Sequence, residues 1–167
     1  AFLPITSFTS AITTFVGQNL GAEEFDRAKK GARFGILCSL LIAEGIGVIT
    51  YVFSPVFIGA FCDSQEAIAF GVDKAHICAL FFCLLAATHC LSAVLRGAGR
   101  AMVPMVVMLS VWCVLRVSIL WIAVPITQSI NTVNWVYPIT WSISTVVLLI
   151  YYRKSDWLHS FQREKAE

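Results

Sequence analysis

The stretch FGILCSLLIAEGIGVITYVFSPVFIGAF, residues 34–61, decides the fold of this chain. Its only charged residue is Glu44. An α-helix rises about 1.5 Å per residue and the hydrocarbon core of a bilayer is about 30 Å thick, so about 20 apolar residues cross it. The stretch is therefore long enough and apolar enough to predict a membrane-spanning helix.

Four further apolar segments surround this stretch. They are residues 1–20, 75–95, 102–124 and 133–152. Only 13% of the 167 residues are charged and 58% are hydrophobic, whereas a soluble domain carries about 25% charged residues. The sequence therefore predicts an all-α integral membrane protein, a polytopic bundle with five transmembrane helices in residues 1–154. We expect residues 155–167, with alternating charges and Trp157, to form an amphipathic tail on the cytoplasmic surface.

The basic residues are distributed unequally between the two sides of these segments. Ten of the twelve would share one side, Lys74 would lie on the other, and Arg116 lies inside a segment. The ten are Arg27, Lys29, Lys30, Arg33, Arg96, Arg100, Arg153, Lys154, Arg163 and Lys165. Lys and Arg in short loops mark the cytoplasmic face. The pattern thus predicts an external N-terminus and a cytoplasmic C-terminus, and membrane orientation accounts for the positive charge without a nucleic-acid partner.

Several other function classes find no support in the sequence. It contains no GxSxG, HExxH or Walker A signature, so no enzyme activity is expected. The three histidines are too dispersed to predict a metal site. The six cysteines show no CxxC spacing, and we interpret them as small apolar packing residues. Because the chain opens inside an apolar segment, we expect it to be the C-terminal piece of a longer protein.

The first segment carries an unusual number of hydroxyl groups. Thr6, Ser10, Thr13, Thr14 and Gly17 recur at helical spacing and predict one polar face. In lipid such a face is expected to turn toward other helices, where small residues allow close packing, or toward the wall of a polar cavity.

Three ionisable residues lie within the apolar segments: Glu44, His89 and Arg116. A charge inside the membrane is costly and tends to face a partner or a cavity. Helical rise places Glu44 and Arg116 within about 5 Å of each other in depth, so a structural ion pair between them is one hypothesis. The other is that Glu44 or His89 takes part in ion coupling, since an unperturbed histidine titrates near pH 6.5.

Two motifs give the sequence a resemblance to a known family. VGQNLGA, residues 16–22, followed by the charged stretch into Lys29, resembles the motif that ends the second helix of each half in MATE (multidrug and toxic compound extrusion) transporters. LRGAGR, residues 95–100, resembles the later LRGxG motif of the same family. Pro104, the stretch WCVLR at 112–116, and Tyr137-Pro138 also fit in the expected order.

The resemblance implies a plan of twelve helices in two six-helix bundles, with this chain as helices eight to twelve. It also implies a multi-pass protein of the cell membrane that exchanges H+ or Na+ for organic cations or other amphipathic compounds. Such an antiporter needs no cofactor beyond the ion gradient, and its partners are the small-molecule substrate, membrane lipid and the remaining bundle of the same chain. The cavity lining would then come from Thr6, Ser10, Thr13, Gln18, His89, Tyr137 and Trp141.

The sequence departs from the family pattern at one position. Many members carry an acidic residue about three turns before the arginine of LRGxG, and here that position is Leu85. His89, one helical turn later, is a candidate to replace it, and the alternative is that the coupling site lies in the other bundle. Two other functions stay open: a lipid-linked saccharide flippase of similar plan, for which Arg116 alone would be a deep basic group, and a polytopic membrane enzyme.

Overall fold

The computed structural model describes residues 2–61 and 64–159. Helices account for all the regular secondary structure in these two ranges. In chain order they are α1 (Phe2–Gly21), α2 (Phe25–Gly59), α3 (Gln65–Ala79), α4 (Phe82–Gly97), α5 (Met102–Met108), a π-helical segment (Leu109–Leu115), α6 (Arg116–Thr127) and α7 (Ile130–Lys154). The prediction of an all-helical bundle is confirmed.

Helices lie at all five predicted positions, but they do not all have the length and composition of a simple span. Three helical stretches, Phe25–Gly59, Met102–Thr127 and Ile130–Lys154, are long and apolar enough to cross a membrane, and the pair α3 and α4 makes a fourth if it is one bent span. Among the described helices α1 falls outside this group, because its hydroxyl groups, Gln18 and Asn19 lower its hydropathy. The count of five spans therefore stays a prediction.

The charged stretch before the second segment continues directly into it. α2 runs for 35 residues without a break, which is about 52 Å at the usual helical rise. This length exceeds the thickness of the hydrocarbon core by several turns. The first turns, in which Arg27, Lys29 and Lys30 are exposed, therefore extend beyond the apolar part of the helix.

The third predicted segment, 75–95, is divided into two helices. α3 ends at Ala79, α4 begins at Phe82, and the two axes differ by 54°. Phe81 leaves helical geometry with φ −121° and ψ 13°. Neither Pro nor Gly lies at the break, so nothing in the local sequence indicates it. The end of α3 packs closely at this point, since the carbonyl of Ala79 approaches α2 at Gly47, where a Cβ would lie 2.5 Å from that oxygen.

The fourth predicted segment is one helical rod with a local change of winding. α5, the π-helical segment and α6 follow one another without interruption from Met102 to Thr127. A π-helical turn inside an α-helix widens the backbone and is often found at functional positions. Here it carries Trp112 and leads directly into Arg116.

The core is formed where α1, α2 and α4 meet, and it is built around small residues. Gly97 of α4 lies so close to α1 that a Cβ there would be 2.6 Å from the carbonyl oxygen of Thr13. Gly17 of α1 has the reciprocal position, with a Cβ 3.3 Å from the carbonyl oxygen of Gly97. Val16 and Leu95 are fully buried beside them. Small residues that let helix backbones approach are the usual means of association in lipid.

The LRGAGR turn closes α4 as a glycine-dependent cap. Gly99 has φ 78°, a conformation that side chains with a Cβ rarely adopt. The amide of Arg100 donates to the carbonyl of Leu95 at 2.9 Å, and the amide of Ala98 donates to Val94 at the same distance. The cap satisfies carbonyl groups that the end of the helix would leave without donors.

The described part of the tail packs onto the bundle. Trp157 is buried, stacks on Tyr152 with ring centroids 5.3 Å apart, and joins the core cluster that contains Ala28 and Ala32. His159 contacts Asp156 at 2.7 Å. Residues 160–167 lie outside the described residues, so the prediction of a surface-lying amphipathic tail is untested there. At Trp157 the aromatic side chain is buried within the bundle, in the cluster that includes two alanines of α2.

Close packing at Gly47 gives a test of this fold. The substitution Gly47→Ala is expected to lower stability by about 1–3 kcal/mol, because the new methyl group would meet a backbone carbonyl that cannot move independently. Gly45→Ala is the matched control on the same helix, since no atom lies within 4 Å of a Cβ at that position. Thermal unfolding in detergent measures both, and equal melting temperatures for the two variants would contradict the packing.

Candidate functional site

α1 has two distinct faces. Ile5, Thr9, Ile12, Val16 and Leu20 are buried against the bundle. The opposite face carries exposed polar side chains, namely Ser7, Ser10, Thr14 and Gln18. The other helices expose large apolar side chains instead, such as Leu41, Val52 and Val56 of α2. We call the four exposed polar residues of α1 the polar stripe.

The hydroxyl face predicted for this helix lies at the boundary between these two faces. Thr13 donates to the carbonyl of Ala93 on α4 at 3.2 Å, so it serves in packing. Thr6 is half-buried and donates to the carbonyl of Leu3 at 2.8 Å. Ser10 and Gln18 are exposed and belong to the polar stripe. The helix-packing interpretation therefore applies to Thr13, and the cavity-wall interpretation stays open for Ser10 and Gln18.

Glu44 lies beside the break between α3 and α4. It lines a cavity of about 140 Å³ together with Gly47, Tyr51 and Leu80. Its carboxylate is within hydrogen-bonding reach of the Cys83 thiol, and its Oε2 atom is buried and accepts no hydrogen bond within the described residues. Glu44 is thus on the α2 side of the bend.

Arg116 is held by a hydroxyl group and two aromatic rings. Its Nε and Nη2 atoms donate to Thr140 Oγ1 on α7 at 3.2 and 2.6 Å. Its guanidinium carbon lies 5.2 Å from the ring centroid of Trp112 and 4.8 Å from that of Tyr137. Cation–π contacts of this kind stabilise a guanidinium that has lost part of its water.

The ion pair considered for Glu44 and Arg116 is not formed. Within residues 2–61 and 64–159 the one ion pair joins Asp156 and His159. Similar depth did not bring the two residues together, because Arg116 turns toward α7 and Glu44 faces the bend of α3 and α4. Depth alone fixes one coordinate of a side chain and leaves its direction around the helix undetermined.

His89 contacts the π-helical segment. Its ring meets the Trp112 ring edge-on, with centroids 5.5 Å apart. Trp112 in turn donates through Nε1 to Ser144 Oγ on α7 at 2.8 Å. His89, Trp112 and Arg116 therefore form one continuous series of contacts between α4, the π-helical segment and α7.

A cavity of about 300 Å³ lies beside Tyr137, the ring that Arg116 contacts. Its lining comes from α1, α3, α4 and α7 and consists of Ile5, Lys74, Cys78, Phe82, Leu85, Tyr137 and Trp141. We call this cavity the aromatic pocket. Its wall is apolar and aromatic with one charged group, the composition typical of a small-molecule site. The predicted residues Tyr137 and Trp141 lie in it together, whereas Thr6, Ser10, Thr13, Gln18 and His89 are not among its lining residues.

Sequence reasoning did not assign five lining residues of the aromatic pocket to a cavity: Ile5, Lys74, Cys78, Phe82 and Leu85. Phe82 shares a face of α4 with Leu85, a signal that helical spacing contains. Lys74 is the one basic residue assigned to the outer side, and its isolation there could have indicated a role. Lys74 Nζ lies 4.7 Å from the Tyr137 ring centroid. Cys78 carried no signal beyond its apolar surroundings.

The sequence of this chain is similar to those of known proteins. The chain is 28% identical over 153 residues to "Probable multidrug resistance protein YoeA" of Bacillus subtilis (strain 168), covering 90% of this chain and 33% of that protein. It is 29% identical over 113 residues to "Probable multidrug resistance protein NorM" of Thermotoga maritima, covering 67% of this chain and 24% of that protein. The chain thus spans a third or less of the length of these curated relatives.

The family assignment rests on a match through most of the chain. Residues 1–122 match the family described as MatE, a stretch that includes α1, the LRGAGR turn, the π-helical segment and Arg116. The apolar helices that surround these elements make the chain a multi-pass membrane protein. From the family match and these helices together, we conclude that the chain belongs to the MatE family.

Proposed function

We propose that this chain is part of a secondary active antiporter that exports organic cations or other amphipathic compounds in exchange for H+ or Na+. The relatives are both named as multidrug resistance proteins. Because the chain spans a third or less of their length, the remaining bundle would come from the rest of a longer chain. The small-molecule substrate and membrane lipid are the other partners, and neither an enzymatic step nor a cofactor is part of the proposal.

The polar stripe of α1 is the observation that carries this proposal. A row of exposed hydroxyl and amide groups is a poor surface for lipid, which offers no hydrogen-bonding partner. The same row suits the wall of a water-filled cavity between two bundles. Movement of one bundle against the other would then expose this wall to each side of the membrane in turn.

The coupling group is proposed to lie in the other bundle. Leu85, at the position where many family members have an acid, lines the aromatic pocket and cannot bind a cation. Glu44 is separated from that pocket by its position at the bend, and His89 packs on Trp112. These positions support the proposal that neither Glu44 nor His89 takes the role of the acid that many family members have at position 85.

Export assays test the antiport function. The full-length protein reconstituted in vesicles is expected to accumulate fluorescent amphipathic dyes against their gradients when a H+ or Na+ gradient is imposed. Collapse of both gradients should abolish accumulation, because the ion supplies the free energy. Vesicles without protein, carrying the same gradients, are the control. Accumulation that persists without either gradient would exclude the antiporter.

The coupling proposal has its own test. His89→Gln and Glu44→Gln are each expected to leave the pH profile of dye export unchanged, since the titrating group lies elsewhere. Initial rates measured between pH 5.5 and 8.5, with expression levels matched, provide the comparison. A displaced limb of the profile in either variant would assign the coupling role to that residue instead.

The orientation of the chain, with a cytoplasmic C-terminus, is also a proposal. In a cysteine-free background, a cysteine in place of exposed Lys29 should be labelled by a membrane-impermeant maleimide only after the cells are opened. A cysteine in place of exposed Gln128, between α6 and α7, should be labelled in intact cells. Labelling of both positions from one side would refute the alternating arrangement of the helices.

A further inference from the structure

Two cations lie close to the aromatic pocket, and one of them lines it. Lys74 Nζ and the guanidinium carbon of Arg116 lie 4.7 and 4.8 Å from the centroid of the same ring, that of Tyr137. Lys74 and Tyr137 line the pocket directly. Two cations are therefore gathered around one aromatic side chain of the pocket wall.

Neither cation has an acidic partner in the described part of the chain. The one ion pair there is the distant contact of Asp156 with His159. The pocket lining itself contains no Asp or Glu. For half-buried Arg116 a positive charge without a counter-ion is unfavourable, and the aromatic ring of Tyr137 offsets only part of this cost. Lys74 is exposed and keeps much of its water.

The guanidinium of Arg116 also has hydrogen-bonding capacity to spare. A guanidinium carries five N–H donors, and in the described residues its bonds from Nε and Nη2 both go to the single oxygen Thr140 Oγ1. The Nη1 donors make no hydrogen bond there. Arg116 is half-buried and lies outside the lining of the aromatic pocket, so what it offers an anion there is its positive charge and not a direct hydrogen bond.

The remaining wall of the pocket determines what would accompany the anion. Trp141 is 7% exposed and packs against the rings of both Phe82 and Tyr137, with centroids 6.4 and 6.2 Å apart. Leu85 and Ile5 complete an apolar surface. The volume, about 300 Å³, is at the lower end of the range for small-molecule sites, which suits one or two fused rings.

We propose that the aromatic pocket binds an amphipathic aromatic anion, with its carboxylate or sulfonate facing Lys74 and its rings against Phe82, Leu85 and Trp141. Arg116, which contacts the Tyr137 ring but does not line the pocket, adds positive charge nearby. This ligand class deepens the proposed export function and rests on it, since the bound anion is one of the transported compounds. The site selects against organic cations in this half of the protein, because Lys74 and Arg116 repel them.

A series of three naphthalene ligands tests the charge preference. The probes are 1-naphthoate, 1-naphthalenemethanol and 1-naphthalenemethylammonium, which share one ring system and differ in charge. Equilibrium dialysis against the full-length protein in nanodiscs, without any ion gradient, measures binding. The carboxylate is expected to bind about tenfold more tightly than the ammonium, and added salt should reduce this ratio because exposed Lys74 is screened.

Lys74 offers a variant that should leave the fold intact, since its side chain is exposed. Lys74→Gln is expected to weaken naphthoate binding about fivefold and to leave the neutral alcohol unchanged, and Lys74→Glu should reverse the preference in favour of the ammonium. Lys154→Gln is the matched control: it removes the same charge from an exposed position of α7, about 25 Å along the helix from Tyr137. It should change none of the three affinities.

The results separate this proposal from the export function. If the ammonium binds as tightly as the carboxylate, or Lys74→Gln weakens all three ligands equally, the anion preference is overturned. If the preference holds but gradients drive no dye export, the pocket is correctly assigned and the antiport function fails. Arg116→Gln provides a second arm, since it removes the charge next to Tyr137, and unchanged naphthoate binding in that variant would remove Arg116 from the proposal.

Discussion

The close approach of α1 and α4 at Gly97 is the constraint on which the rest of the structure depends. Helices in lipid gain little from burying apolar surface against each other, so their association relies on packing. Gly17 and Gly97 bring two backbones together, and Thr13 adds a hydroxyl-to-carbonyl bond across the contact. With α1 fixed in this orientation, its polar stripe points away from the bundle. The outward direction of the polar stripe is therefore a consequence of where two glycines lie.

The embedded guanidinium explains a second group of features. Arg116 would be expensive inside the membrane, and the chain accommodates it with Thr140 and the rings of Trp112 and Tyr137. The π-helical segment contains Trp112 and ends directly before Arg116. A widened turn there changes the direction in which successive side chains project. This solution uses aromatic faces instead of a carboxylate, so the positive charge is stabilised without being neutralised.

The sequence predicted elements and family far better than it predicted contacts. Hydropathy and charge placed helices at 34–61 and 133–152, and the VGQ and LRGAG stretches indicated the family that the MatE match confirms. The bend at Phe81 escaped prediction because neither Pro nor Gly lies at it in the sequence, and the close contact beside it involves Gly47, which is distant along the chain. Tyr137 and Trp141 were predicted and do share a pocket, but Lys74 was not, since a single lysine outside the predicted apolar segments gives no indication of which ring it will contact.

The absence of an acid at Leu85 and the presence of Lys74 are parts of one arrangement. Both side chains line the aromatic pocket, so a carboxylate at position 85 would share a small apolar space with the Lys74 ammonium. The two would neutralise each other and leave Arg116 as the remaining charge. With leucine there, Lys74 and Arg116 act on Tyr137 together, and the pocket keeps a net positive field. The leucine that leaves position 85 without a cation-binding group thus fits the anion site proposed above, and it agrees with the proposal that ion coupling lies in the other bundle.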